Sequence, residues 1–180
     1  LWLAVPVQVA VVVALGLRVA RGDRTPLELA GNVLSVGLSC GAIGINVAHE
    51  LGHRVRRFDR ALAHVLLATS LYLHFFVEHN RGHHKRVATS DDPATARRGE
   101  SLYAFLARTL VGSWRSAWSL EETRLAKSGR SAWSLSNALV AYALVEVGLV
   151  VAFAAAFGPL AAACFVGAAL TGAVLLENVN

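Results

Sequence analysis

Apolar residues in this chain come in long unbroken runs separated by short charged stretches, a pattern unlike the alternation or helical spacing of water-facing elements. Residues 1–17 are apolar except for Gln8, and residues 29–48 carry no charge over about twenty positions, the length that crosses a hydrocarbon core of about 30 Å. Two further runs, 138–157 and 160–176, are joined by the uncharged turn Gly158-Pro159. Only Glu146 interrupts them, and an acid at membrane depth is costly and generally faces a protein interior or cavity. The pattern predicts membrane helices over 1–17, 29–48, 138–157 and 160–176. Between the first two lies a charged turn in which Thr25-Pro26 marks a helix start. Residues 61–77 are apolar as well, but they carry His64 and His74 and would extend only about 25 Å as a helix.

Charge supplies the orientation. Arg54, Arg56, Arg57 and Arg60 follow the second run with only Asp59 against them, and residues 81–137 hold ten Lys and Arg against five acids. Such excess marks the cytoplasmic side of a cell membrane. The 61–77 run is therefore expected to stay on that side, packed at the interface, so that the segments flanking it share one face. DDPATARRGES, with Pro93 and Gly99, reads as a loop leading to a helix from about Ser101. Trp114, Trp118 and Trp133 suit interfacial anchoring and ordinary packing equally. The expected fold class is all-α: a polytopic membrane helical bundle, one domain over 1–180, with a cytoplasmic histidine-rich helical region over 49–137. In a chain 55% hydrophobic, a net charge of +5 points to the lipid bilayer and not to nucleic acid.

No Met occurs, Leu1 lies inside one apolar run and Asn180 follows another, so a fragment truncated at both ends is expected. Cys40 and Cys164 lie in apolar runs without ligand-like spacing and read as packing residues.

All seven histidines fall between His49 and His84, five of them in two boxes, HELGHR from His49 and EHNRGHH from Glu78. Residues four apart share a helix face at about 5–6 Å, so His49 and His53 can aim at one ion, and His79 and His83 repeat that geometry. His84 stands about 100° round the helix from His83, which suits a second ion or a distorted turn. Five imidazoles exceed the protein ligands of a lone zinc and point to two metals. Imidazole itself suits iron, copper, nickel and zinc alike. HELGHR alone fits a zinc protease, with Glu50 as general base, as well as an oxygenase. The three histidines of the second box weigh against the protease, which needs one further ligand.

The likeness to known proteins extends beyond these boxes. HFFVEHNRGHHKRVAT, DPATARRGES and WSLEETRLAKSGRSAW resemble, in order and spacing, the membrane-bound alkane 1-monooxygenases of the fatty-acid desaturase and hydroxylase superfamily. The resemblance implies an integral enzyme of the cell membrane holding two iron ions in a non-haem di-iron site. It implies hydroxylation of the terminal carbon of medium- and long-chain n-alkanes to 1-alkanols, with O2 and electrons from rubredoxin and its reductase. On this chain it implies metal ligands at His49, His53, His79, His83 and His84. That family has further boxes, one of the form NYxEHYG that would begin at Asn180. Four expected ligands thus fall beyond the chain, which is expected to be inactive alone.

Glu50, Glu78 and Asp92 are candidates to orient ligand imidazoles by accepting their second N–H, with direct ligation as the alternative. His74 and His64 read as packing or outer residues rather than ligands. The basic face fits the positive-inside bias, anionic lipid, and the steering of a small acidic electron carrier. Other functions stay open: a hydroxylase or desaturase of the same superfamily acting on an aromatic methyl, a terpene or an acyl chain, a membrane zinc protease, or a non-catalytic metal-binding protein.

Overall fold

The computed structural model describes residues 1–178, and every regular element among them is helical. The expectation that an NYxEHYG box opens at Asn180 lies outside the described residues. The elements are α1 (Ala4–Ala20), α2 (Pro26–Ser39), α3 (Asn46–Gly52), α4 (Arg57–Thr69), α5 (Phe75–Glu78), α6 (His84–Arg86), α7 (Leu102–Ala126), α8 (Ala138–Phe157) and α9 (Pro159–Glu177). Two π-helical segments, Cys40–Ile45 and His79–His83, join α2 to α3 and α5 to α6.

Three stretches, Pro26–Gly52, Ala138–Phe157 and Pro159–Glu177, are long and apolar enough to cross a membrane, and α1 is a shorter apolar helix. The all-α membrane class read from the hydrophobic runs therefore holds. Helix boundaries moved where local chemistry outweighed hydropathy. The second helix starts at Pro26, because Thr25 and Glu28 form a reciprocal capping box, and it runs through His49 to Gly52. The 61–77 run is not one helix: α4 stops at Thr69 and Leu71 takes a left-handed φ of 47°.

The chain divides into two compact units. The first comprises Leu1–Tyr72 and Val145–Leu176. Its core joins Val12 and Leu15 of α1 to Val36, Phe153, Phe165 and Ala168. A buried polar group sits beside that core: Ser39 Oγ donates to Gln8 Oε1 at 2.6 Å, and Gln8 Nε2 donates to Cys40 Sγ at 3.4 Å. The one polar position of the first apolar run is thus satisfied internally, as a buried amide requires. Gly172 of α9 lies so close to the first π segment that a Cβ there would stand 2.6 Å from Cys40 Cβ. Small residues permit this close approach of the two helices.

The second unit comprises Leu73–Leu144 and the residues from Glu177. Ser101 caps α7 by accepting from Ala104 N–H at 3.3 Å, at the helix start expected from the loop chemistry. Val77, Ala117 and Leu139 pack together with Trp118 and Tyr142 against them. Trp118 also contacts the rings of Trp114 and Trp133, at centroid distances of 5.7 and 4.8 Å.

Candidate metal centre

In the first unit, His49 lies in α3 and His53 caps its C-terminus with helical dihedrals. The expected one-turn spacing is kept: the ring centroids are 4.7 Å apart, and a ring nitrogen of each lies within 4.8 Å of the other's. Glu50, between them, is exposed.

The second box departs from α-helical geometry. His79–His83 is a π-helical turn, in which hydrogen bonds span five residues instead of four. Widening the turn brings His84 beneath His79, and their Nε2 atoms are 3.0 Å apart. His83 stacks on His79 at 5.3 Å between centroids. The distorted turn that the His83-His84 pair suggested is therefore present, and its partner for His79 is five residues away.

His83 has a second tie. Its Nδ1–H donates to Asp92 Oδ2 at 3.0 Å. A carboxylate only accepts, so the contact puts a proton on Nδ1 and leaves Nε2 as the nitrogen that could bind a metal. Asp92 is buried and is itself held by Thr95 Oγ1–H at 2.5 Å and by Ala94 N–H at 3.2 Å.

Glu78 is also buried, but it faces basic chemistry. Arg86 Nη2 donates to its Oε1 at 2.9 Å, while Oε2 is buried with no hydrogen bond among the described residues. Burial pushes this carboxyl above its ordinary range, against the pull of Ser116 and Arg86. Gly82 gives it room, because a Cβ there would lie 2.5 Å from both Glu78 oxygens. Of the outer histidines, His74 is held near 4 by burial, which favours its neutral ring. His64 Nδ1 lies 2.6 Å from the carbonyl of Arg60 on its own helix.

The residues fit a metal. Two imidazole nitrogens bound at about 2.1 Å to one ion at a right angle would stand about 3.0 Å apart, the His79–His84 spacing. His83 stacks on His79 and hydrogen-bonds Asp92, but it stands outside the group of histidines whose ring nitrogens converge. An open cleft of about 690 Å³ reaches His83, with apolar walls from Val87, Ala94, Leu102 and Phe105.

Several residues around this box carried no recognisable signal in the sequence. Glu121, forty positions from Arg81, accepts from its Nη1 at 2.6 Å, from Arg124 at 2.7 and 2.8 Å, and from the backbone N–H of Ala138 at 2.8 Å. Burial raises its carboxyl, but those donors outweigh it and hold the group at about 2. Only the Glu121–Arg124 spacing of three could have been read in advance.

Residues 27–180 match the family model described as fatty acid desaturase. The chain belongs to the fatty acid desaturase family. Among curated members of known name, it is 41% identical to alkane 1-monooxygenase of Pseudomonas putida over 158 residues, 88% of this chain and 39% of that protein. It is 43% identical over 159 residues to alkane 1-monooxygenase 1 of Alcanivorax borkumensis, again 88% of this chain and 39% of that protein. It is 30% identical over 117 residues, 65% of this chain, to XylM, the xylene/toluene monooxygenase hydroxylase component of Pseudomonas putida. This desaturase-family chain spans about two fifths of the length of the curated alkane 1-monooxygenases it matches.

Proposed function

We propose that this chain carries the first two histidine boxes of a membrane non-haem di-iron alkane 1-monooxygenase. His49, His53, His79, His83 and His84 are its ligands to two irons, on the cytoplasmic side of the cell membrane. Glu50 and Glu78 lie beside the ligands, and Asp92 fixes the tautomer of His83. The observation that carries this reading is the 3.0 Å His79–His84 pair beside the Asp92-tethered His83, in a chain about 40% identical to proteins named alkane 1-monooxygenase. A terminal C–H bond offers no acid, electrophile or polar handle, so side chains alone cannot attack it. Bound iron would supply the activation of O2, and the protein supplies ligand orientation, a dry site and an apolar slot. Electrons come from rubredoxin and its reductase, and the alkane enters from the bilayer.

The kinship with XylM favours a second substrate class, an aromatic methyl group. Both readings are tested by expressing the whole gene with rubredoxin and rubredoxin reductase, feeding n-octane, n-hexadecane and p-xylene, and analysing products under 18O2. The alkane reading expects 18O-labelled 1-alkanol. Methylbenzyl alcohol without 1-alkanol would replace it with the aromatic reading, and no labelled alcohol from iron-loaded protein would overturn both.

A further inference from the structure

The loop that carries Asp92 is gripped from α7 by one arginine. Arg108 Nη1 donates to the carbonyl of Pro93 at 2.8 Å, and Nη2 donates to the carbonyl of Thr95 at 2.9 Å. The same guanidinium makes a bidentate pair with Glu100, Nε to Oε1 at 2.7 Å and Nη2 to Oε2 at 2.6 Å. Glu100 in turn accepts from Arg97 N–H at 3.1 Å, which closes the far end of the loop. One helical turn along, at Gly112, a Cβ would lie 2.8 Å from Pro93 Cβ, so this face of α7 meets the loop backbone directly. Inside the clamped turn, Thr95 Oγ1 accepts from Ala88 N–H at 2.9 Å and donates to Asp92 Oδ2, the oxygen that takes the His83 proton.

We infer that Arg108 and Glu100 are positioning residues for the metal centre, acting through the Asp92 turn to fix the ring of His83. The inference rests on the proposal that the second box holds metal. Arg108 suits the task because its planar fork fills four acceptors at once, two on the turn and two on Glu100, which an ammonium cannot do. A buried carboxylate aimed at one ring nitrogen keeps its direction only while its backbone is fixed, and Asp92 is tied down on both sides by these contacts.

The test uses the whole protein, stripped of metal and titrated with cobalt(II), with binding and ligand-field bands read in the visible spectrum. Arg108→Ala should weaken cobalt binding about 10- to 100-fold, the usual effect of losing a ligand's outer hydrogen-bond partner, and should alter the bands. Asp92→Asn should do the same. If Arg108 works through Asp92, the double variant binds no more weakly than Asp92→Asn, whereas losses in unfolding temperature add. Glu100→Gln, which keeps the side chain's shape, gives a smaller change in the same direction and serves if Arg108→Ala does not fold. Wild-type cobalt affinity and spectrum in both the Arg108 and Glu100 variants, or affinity losses that multiply in the double variant, would overturn the inference. If His83→Ala leaves cobalt binding unchanged, the metal reading itself falls instead.

Discussion

Nε2 of His79 and Nε2 of His84 lie 3.0 Å apart although five residues separate them. In an α-helix those side chains would diverge, and the π turn over His79–His83 is what faces them to each other. Substituting His84→Ala should therefore cost as much bound iron as His79→Ala, at least about tenfold in affinity. Lys85→Ala, one residue on and exposed, should leave the iron content unchanged. Iron per protein, measured by elemental analysis after purification, checks all three, and normal iron in His84→Ala would rule out a shared ion for this pair.

Gly82 lies against the ends of two long side chains, Glu78 and Arg86. Its missing side chain leaves space for the Glu78 carboxylate, and a Cβ would also stand 2.5 Å from Arg86 Nη2. Gly82→Ala should destabilise the protein by about 1–3 kcal/mol through overpacking and push the Arg86–Glu78 pair apart. Gly31→Ala in α2, where a Cβ meets nothing within 4 Å, should leave the unfolding temperature unchanged or raise it. Equal unfolding temperatures for the two variants would remove the steric account.

Much of this was legible in the sequence because it is one-dimensional. Uncharged runs, the Thr25-Pro26 start and the Ser101 start are local signals: three of the runs lie in helices long and apolar enough to cross a membrane, the first in a shorter apolar helix, and both starts are capped. His49 and His53 were legible for the same reason, since one turn of α-helix fixes their spacing. The pairing of His79 with His84 was only half legible. Helical periodicity assumes four residues per hydrogen-bonded turn, and nothing in HNRGHH states that here the turn spans five. Asp92 was recognisable as a candidate by residue type, but its contact with His83 depends on a loop folding back over nine positions. Arg108 left no trace because its partners, 8 to 15 residues away, follow no period, and for Glu121 only Arg124, three residues on, was in reach of a periodic reading, while Arg81 lies 40 positions back.

Glu121 makes acid stability predictable. Its folded carboxyl is held at about 2, below the ordinary 4.5, so the unfolded chain binds that proton more tightly. The resulting stability is fully present above about pH 4.5 and is lost as pH falls towards 2. Glu121→Gln should remove that part of the acid dependence. At neutral pH it should also cost about 1–3 kcal/mol, because a buried amide replaces the charged acceptor of several hydrogen bonds while Arg81 and Arg124, nearly half exposed, stay solvated. Unfolding temperatures of both proteins from pH 7 down to pH 3 give the comparison, and parallel curves through the acid window would contradict it.

Gly172 tests the packing ahead of the first box. In α9, a Cβ at this position would lie 2.6 Å from Cys40 Cβ and 2.9 Å from the backbone nitrogen of Gly41, and a backbone atom cannot step aside as a flexible side chain can. Lipid tails are as apolar as the helices, so membrane helices hold together largely through such close contacts between small residues. Gly172→Ala should lower stability by about 1–3 kcal/mol, and Gly172→Leu by more. Gly148→Ala, at a position of α8 where a Cβ meets nothing, should be neutral. Because Cys40–Ile45 runs directly into α3, displacing it also moves His49. Gly172→Leu should therefore lose metal at temperatures where the protein is still folded, as seen by comparing cobalt release with helix melting. Release that simply follows melting would show that the π segment does not position the first box.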